Sequence, residues 1–455
     1  MNKIKLGIVI TARDFFPPRD LAAQNADRIR ARLAEIFAAM PHVECIYADH
    51  LLEDGLVTGI AESNQVADYF KDQRVDALFV PHANFGQEEA IGIIANALRV
   101  PTLVWGPRDG SPDDSVPLRM TDTQCGLFAT TRLLLRYGLP YTYLRNCWLD
   151  SDELVEGIDK FIRVASVVKA FRGMRILQLS TRPRQFLSVK INEGELLERF
   201  GIHVVPIEST EIVATVKSFQ EEKTAARQLL ADMAAQGINT DQMNDESMFN
   251  IACLILGIKK LAETYHCTAA ASECWELVYE HFNIGACFAL GYLSQMGLPT
   301  ACENDIHGAI SSILAQAAAL YETPSFLADI TVRHPQNENA ELLWHCGPFP
   351  PVLAKNTPAV KDCKGSYQLK DGTLTLVRFE ADHQDYVLLA EECNTTDGPE
   401  TTGNYVWIET QDWGKWEDKL MYGPYIHHIA GVYGSYKDVF HEACKYINVT
   451  HDYVF

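Results

Sequence analysis

Short, nearly continuous apolar runs alternate with amphipathic helical patterns through roughly the first 170 residues, and this alternation constrains the fold more than any other feature. The apolar runs are Lys5–Thr11, Val43–Tyr47, Ala77–Pro81 and Thr102–Trp105. Helical patterns lie between and after them, near Asp20–Met40, Glu62–Gln73, Glu88–Leu98 and Thr123–Tyr137. Strands this apolar have no wet face, so they belong in a parallel sheet covered by helices on both sides. Asp150-Ser151-Asp152-Glu153 reads as a capping cluster that opens a long helix to about Phe171.

A second α/β pattern starts at Arg175, with strands at Ile176–Leu179 and Val204–Ile207 and a helix-ending Gly201 between them. Long helical patterns follow near Ala214–Gln236 and Ser247–Tyr265, then apolar runs at Thr268–Ala271 and Thr300–Glu303. Beyond Pro335 the texture changes: prolines 348, 350, 351 and 358 punctuate a loop, and strand-like alternation appears at Thr373–Glu380, Tyr386–Glu391 and Tyr405–Glu409. The expected fold class is α/β. Two Rossmann-like parallel-sheet domains, residues 1–172 and 173–335, precede a β-rich C-terminal domain, residues 336–455, built as a small barrel or sandwich.

The net charge of −21 argues against nucleic-acid and anionic-membrane partners, both of which need a basic surface. No signal peptide and no apolar stretch of membrane-spanning length is visible, so a cytoplasmic protein is expected. The twelve cysteines contain no Cys-x-x-Cys pair and sit mostly in apolar runs, which favours buried thiols over disulfides or structural zinc. Neither a Gly-rich phosphate loop nor a Gly-x-Ser-x-Gly elbow is present.

Chemistry concentrates in the second half. Glu303 follows the apolar run Leu298–Cys302, and Asp329 follows Phe326-Leu327-Ala328. A carboxylate at the end of a buried strand is costly unless a cation or a proton pairs with it. A strand–helix–strand unit is expected to bring both to one sheet edge, where open α/β sheets bind ligands. Asp305 reads as the cap of the following helix rather than a ligand. His307 is expected to face outward, and the Cys302 thiol to point away from Glu303. His345, His427 and His428 are the imidazole candidates, and of the adjacent pair at most one can face a given site. Two carboxylates with one or two imidazoles suit Mn²⁺, Mg²⁺ or Co²⁺ better than a thiolate-rich zinc site, and they suit acid/base work. Arg13 and Arg182 each follow an early strand of their sheet and are candidate anion-binding groups, with Arg184 beside the latter. Trp275 and Trp407 are candidates for stacking on a sugar face.

The stretches Ala301-Cys302-Glu303-Asn304-Asp305 and Phe326-Leu327-Ala328-Asp329, with a histidine before Val432-Tyr433-Gly434, resemble the L-fucose isomerase/L-arabinose isomerase superfamily. The resemblance implies a metal-dependent aldose–ketose isomerase, an intramolecular oxidoreductase working through a cis-enediol. Glu303, Asp329 and His428 would hold Mn²⁺ (or Mg²⁺ or Co²⁺), with Glu303 and Asp329 as the acid/base pair. His345 matches an additional histidine of the arabinose branch, and the substrate would be a neutral fucose- or arabinose-like sugar or a modified anionic one. A homotrimer or homohexamer is also implied. Competing readings are a non-catalytic sugar-binding or regulatory protein on the same scaffold, and a metal-dependent aldolase or epimerase.

Overall fold

A computed structural model gives the structure of residues 3–14, 19–110, 121–383 and 385–455. The chain divides into two compact units, Met1–Lys169 and Ala170–Phe455.

In the first unit five parallel strands lie in the order Val43–Tyr47, Ile4–Ile8, Ala77–Pro81, Thr102–Trp105 and Thr142–Tyr143. Every residue of Ala77–Pro81 and Thr102–Trp105 is buried, as their unbroken apolar character requires. Helices Arg19–Ala38, Ile60–Gln73, Glu88–Leu98 and Thr123–Arg136 occupy the expected stretches. The first apolar run is interrupted. Ile4–Ile8 joins the main sheet, whereas Ile10–Thr11 pairs with Leu56–Val57 in a separate two-stranded ribbon.

The second unit holds a four-stranded parallel sheet and a closed barrel. The sheet runs Thr300–Cys302, Ala269–Ser272, Arg175–Leu179, His203–Ile207. The barrel is antiparallel and six-stranded: Asn404–Glu409, Ala340–His345, Phe326–Arg333, His428–Tyr433, Thr373–Asp382 and Asp385–Thr396, the last pairing back with the first. Closure leaves none of these six strands with a free edge. One expectation is corrected. The strand carrying Asp329 does not continue the parallel sheet after Glu303. It runs on to Arg333 as a barrel strand, antiparallel to both its neighbours.

The helix Ile306–Ala318 joins these two bodies and is buried along all of its residues. Its sequence is apolar or small on every face, the pattern of a helix with no exposed side. It packs against Ala269–Ser272 and Thr300–Cys302 of the sheet and against Thr373–Asp382 and His428–Tyr433 of the barrel. Ser311, on this helix, donates its Oγ proton to His307 O at 2.7 Å and accepts the Phe379 amide at 2.8 Å, tying the helix to the barrel. Among the described residues no helix is long and apolar enough to cross a membrane.

Candidate active site

The buried strand Thr300–Cys302 ends at the sheet's carboxyl edge, and the chain turns there with two successive non-glycine residues in the left-handed region, Glu303 at φ +59° and Asn304 at φ +53°. Such a residue costs of order 1–3 kcal/mol and persists only where its surroundings hold it. Those holds are visible. The Asn304 amide donates to Ser272 O at 3.1 Å, its side-chain amide to Leu179 O at 3.2 Å, and the Asp305 amide to Cys302 O at 3.1 Å. Asp305 then caps the buried helix by accepting the Gly308 amide at 2.9 Å. A Cβ at Gly308 would lie 2.4 Å from Asp305 Oδ2, so this turn requires glycine.

Asp329 stands directly opposite His428 in the antiparallel register. His428 is buried, and its Nδ1 donates to Asp305 Oδ2 at 2.9 Å. Its Nε2 therefore faces Glu303 Oε2 and Asp329 Oδ1, both at 3.2 Å. His345, at the end of its strand, places Nε2 3.8 Å from the same Asp329 oxygen. Ligand atoms of Glu303, His345 and His428 all lie within 4.8 Å of one another, as do those of Asp329, His427 and His428.

Asp329 Oδ1, His345 Nε2 and His428 Nε2 are buried and meet no well-directed hydrogen bond among the described residues. Buried polar atoms are normally satisfied, so a convergent set of orphans signals a missing partner. Cis ligands around a six-coordinate cation with bonds of about 2.1 Å stand about 3.0 Å apart, close to the separations seen. The donor set of hard oxygens and imidazole fits a divalent cation of the Mn²⁺, Mg²⁺ or Co²⁺ kind.

Charges behind the cluster are organised to match. Arg378, buried, donates Nη1 to Asp305 Oδ2 at 2.5 Å and Nη2 to Glu380 Oε2 at 2.7 Å. Burial pushes the Asp305 carboxyl up, but Arg378 and His428 outweigh it and hold the group well below the usual carboxylate range. Burial likewise opposes Asp329, yet the imidazoles of His428, His345 and His427 keep it ionised. For His428 burial disfavours the charged ring, and the three surrounding carboxylates reverse that and raise its pKa well above the ordinary value. The three carboxylates thus favour positive charge at His428 Nε2.

A cavity of about 470 Å³ opens alongside, lined by Ser180–Gln185, Glu273, Trp275, Glu276, Leu277 and Glu280. Trp275 belongs to both places, because its indole N–H donates to Glu303 Oε1 at 3.1 Å while its ring walls the cavity. Glu273 is occupied structurally, its carboxylate accepting the amides of Trp275, Glu276 and Leu277.

Comparison with known proteins follows the same lines. Residues 7–172 match the family "Fucose/sulfoquinovose isomerase, N-terminal domain". A sulfoquinovose isomerase of Priestia aryabhattai is 25% identical over 407 residues, covering 87% of this chain and 89% of the relative. One of Alkalicoccus urumqiensis is 25% identical over 334 residues, covering 71% and 73%. These matches support the L-fucose isomerase-like superfamily that the motifs resemble. A solute binding protein of Agrobacterium vitis with bound D-fucose overlaps 61% of the chain and 79% of its own at 9% identity, but at a TM-score of 0.16 that likeness carries no weight.

Of the residues that sequence and superfamily resemblance single out, Glu303, Asp329, His345 and His428 come together, and Arg182, Arg184 and Trp275 line the adjoining cavity. His427 is half exposed and stands 3.9 Å from Asp329, so His428 is the inward member of the pair. Arg13 lies in the first unit, where it exchanges hydrogen bonds with Asn84 and stacks 3.8 Å over Phe85. Trp407 does not reach the site. It sits across from Leu342, packs with Leu342 and Tyr405, and donates to Pro399 O, because strand alternation turns it away from the face that carries Val406 and Ile408 into the barrel core. His307 is buried rather than outward, with Nδ1 2.6 Å from Glu380 Oε1. Arg333, at the end of the Asp329 strand, pairs with Glu338.

Sequence reasoning missed three participants. Asp305 is a cap, as expected, but also the group that orients His428. Arg378 sits inside an apolar strand pattern, and an arginine there was itself an overlooked signal. Phe186 stacks on His427 at 5.7 Å and meets His428 edge-on at 5.4 Å. Its only hint was position, in the loop after the Arg175–Leu179 strand.

Proposed function

We propose that this protein is a divalent-metal-dependent aldose–ketose isomerase. The observation that carries the reading is that Glu303 and Asp329 each bring a carboxylate oxygen to 3.2 Å from His428 Nε2, with Asp329 Oδ1 and His428 Nε2 buried and without a hydrogen-bond partner among the described residues. When bound, the cation would supply positive charge near O1 and O2 of the sugar, lowering the cost of the enediolate. Glu303, Asp329 and His428 would hold it.

The remaining chemistry belongs to the chain. One carboxylate takes the proton from C2 of the aldose and returns it to C1, while the other moves the hydroxyl proton between O2 and O1. The roles exchange in the reverse direction. The two histidines divide according to their hydrogen bonds. His428 spends its Nδ1 proton on Asp305, so its Nε2 lone pair is free for a cation. His345 Nδ1 instead accepts the Gly347 amide at 3.3 Å, so the ring's proton sits on Nε2, where it is suited to donate to a substrate oxygen. Trp275 steadies Glu303 and offers a face to the sugar.

The substrate class we favour is an anionic aldohexose of the sulfoquinovose kind. Two relatives carry that name, and Arg182 and Arg184 stand on the cavity wall. Arg182 Nη1 is braced by the carbonyls of Pro183 and Phe186 at 2.8 and 2.9 Å, which holds a guanidinium in place for an oxyanion. A symmetric homotrimer or homohexamer is part of the same reading and is checked by light scattering.

The test is a metal-supplemented isomerisation screen of sulfoquinovose, fucose and arabinose in deuterated water. Mn²⁺-dependent ketose formation with solvent label at the exchanged carbon supports the reading. Aldol cleavage products, epimers, or tight sugar binding without turnover would each replace it.

A further inference from the structure

The corrected direction of one cysteine opens a second site. Strand alternation places the Cys302 thiol away from Glu303, but the strand ends at Cys302 and the left-handed turn at Glu303 breaks the alternation. As a result Cys302 Sγ, Cys274 Sγ and a Glu303 carboxylate oxygen all lie within 4.8 Å of one another. The two sulfurs are 2.9 Å apart. Cys302 is buried and Cys274 half-buried, and Cys274 lies in sequence between Glu273 and Trp275, two residues of the cavity wall.

We propose that Cys274, Cys302 and Glu303 form a capture site for a thiophilic divalent cation such as Zn²⁺ or Cd²⁺, and that its occupation switches the isomerase site off. Two thiolates and a carboxylate are an ordinary donor set for such ions, with the fourth position left to water. Binding breaks two S–H bonds and forms two sulfur–metal bonds. The two protons leave to buffer, and nothing is oxidised. Thiolates on a tetrahedral ion with bonds of about 2.3 Å stand about 3.8 Å apart, so the sulfurs need to part by only about 1 Å. The switching follows from shared ownership: Glu303 belongs to both sets, so an ion that draws its carboxylate toward the sulfurs takes it from its place 3.2 Å from His428. Soft sulfur donors select the thiophilic ion, and the harder oxygen and imidazole set remains for Mn²⁺ or Mg²⁺. The inhibitory consequence rests on the isomerase reading; the site itself does not.

The experiment titrates the full chain, freed of metal and kept reduced, with Cd²⁺ alone, following the sulfur-to-metal charge-transfer absorption. Wild type is expected to develop the band to saturation. Cys274→Ser and Cys302→Ala each lose it, while Cys287→Ser, altering the neighbouring Cys287–Cys346 contact at 3.4 Å, keeps it. In turnover assays with Mn²⁺, the Cd²⁺ concentration for half inhibition should rise about tenfold or more in Cys274→Ser, since even outer partners of metal ligands are worth 10–100-fold. Uninhibited activity of that variant should match wild type. An unchanged band in both variants overturns the proposal, as does equal inhibition of Cys274→Ser and wild type. So does a reduced wild-type protein in which no band appears. Should no sugar be isomerised, the functional reading falls while the absorption still decides the site.

Discussion

Two buried histidines show what separates a scaffold from a site. His82 follows the apolar strand Ala77–Pro81 of the first unit, and His428 begins a barrel strand of the second. Both are essentially inaccessible to solvent. Among the described residues the His82 ring bonds only to a backbone carbonyl, Phe85 O at 3.0 Å, and a threonine hydroxyl, Thr130 Oγ1 at 3.5 Å. Burial dominates and lowers its pKa to about 4. His428 is buried as deeply, but carboxylates on three sides push its pKa the other way. Burial alone silences an imidazole, whereas burial among fixed charges makes it respond to protons and cations.

The sharpest way to break this contrast is to remove charge from the second case. Glu303→Gln should cut turnover by about 10²–10⁴-fold or more, the usual worth of acid/base help, while the circular dichroism spectrum and urea midpoint hold. A variant retaining near-normal kcat would remove Glu303 from the mechanism. Next in size is Asp305→Ala. It strips Arg378 and His428 of a shared partner and leaves a buried guanidinium partly unpaired, so unfolding should be easier by about 3–5 kcal/mol. Asp305→Asn, which cannot bind the Nδ1 proton as an anion, should weaken Mn²⁺ binding by about 10–100-fold in calorimetry.

Acid separates the histidines further. The folded-state pKa of His82 lies below its unfolded value near 6.5, so the unfolded chain binds more protons between those values. The stabilising contribution of neutral His82 is present above the unfolded pKa and is lost as pH falls. About 2 kcal/mol should disappear between pH 6.5 and 5, and His82→Gln should flatten that part of the urea-midpoint profile. His428 has the opposite sign: its proton competes with the cation, so Mn²⁺ affinity should keep climbing above pH 7. The smallest effect concerns the tryptophans. Trp275→Phe should raise KM several-fold through the lost bond to Glu303 and a smaller stacking face. Trp407→Phe should leave KM unchanged, and a rise there would return Trp407 to the pocket.

The helices and parallel strands of the first unit were legible because each is specified by its own local pattern of apolar residues. Glu303 was legible because an acidic residue at the end of a buried strand needs a reason. Asp329 and His428 became convincing only through the superfamily's spacing. The sequence concealed which sheet Asp329 joins, since Phe326–Arg333 reads alike as a parallel or a barrel strand and one of its two partners lies a hundred residues on at His428–Tyr433. It also concealed the Cys302 thiol's direction, because alternation holds only while a strand continues and the left-handed turn at Glu303 is not written in residue type. His307 and Arg378 were misread or passed over for a related reason: each is tolerable in the interior only through a carboxylate, Glu380 or Asp305, distant in sequence.

The closed barrel has a consequence for fidelity. His427 and His428 are chemically identical neighbours, and a shift of one residue in the pairing of their strand with Phe326–Arg333 would present the wrong ring to Asp329. An open sheet could tolerate such a shift by fraying at its margin. In a ring of six strands the error would have to propagate through every seam, so the circle itself acts as the proofreader of which imidazole is used.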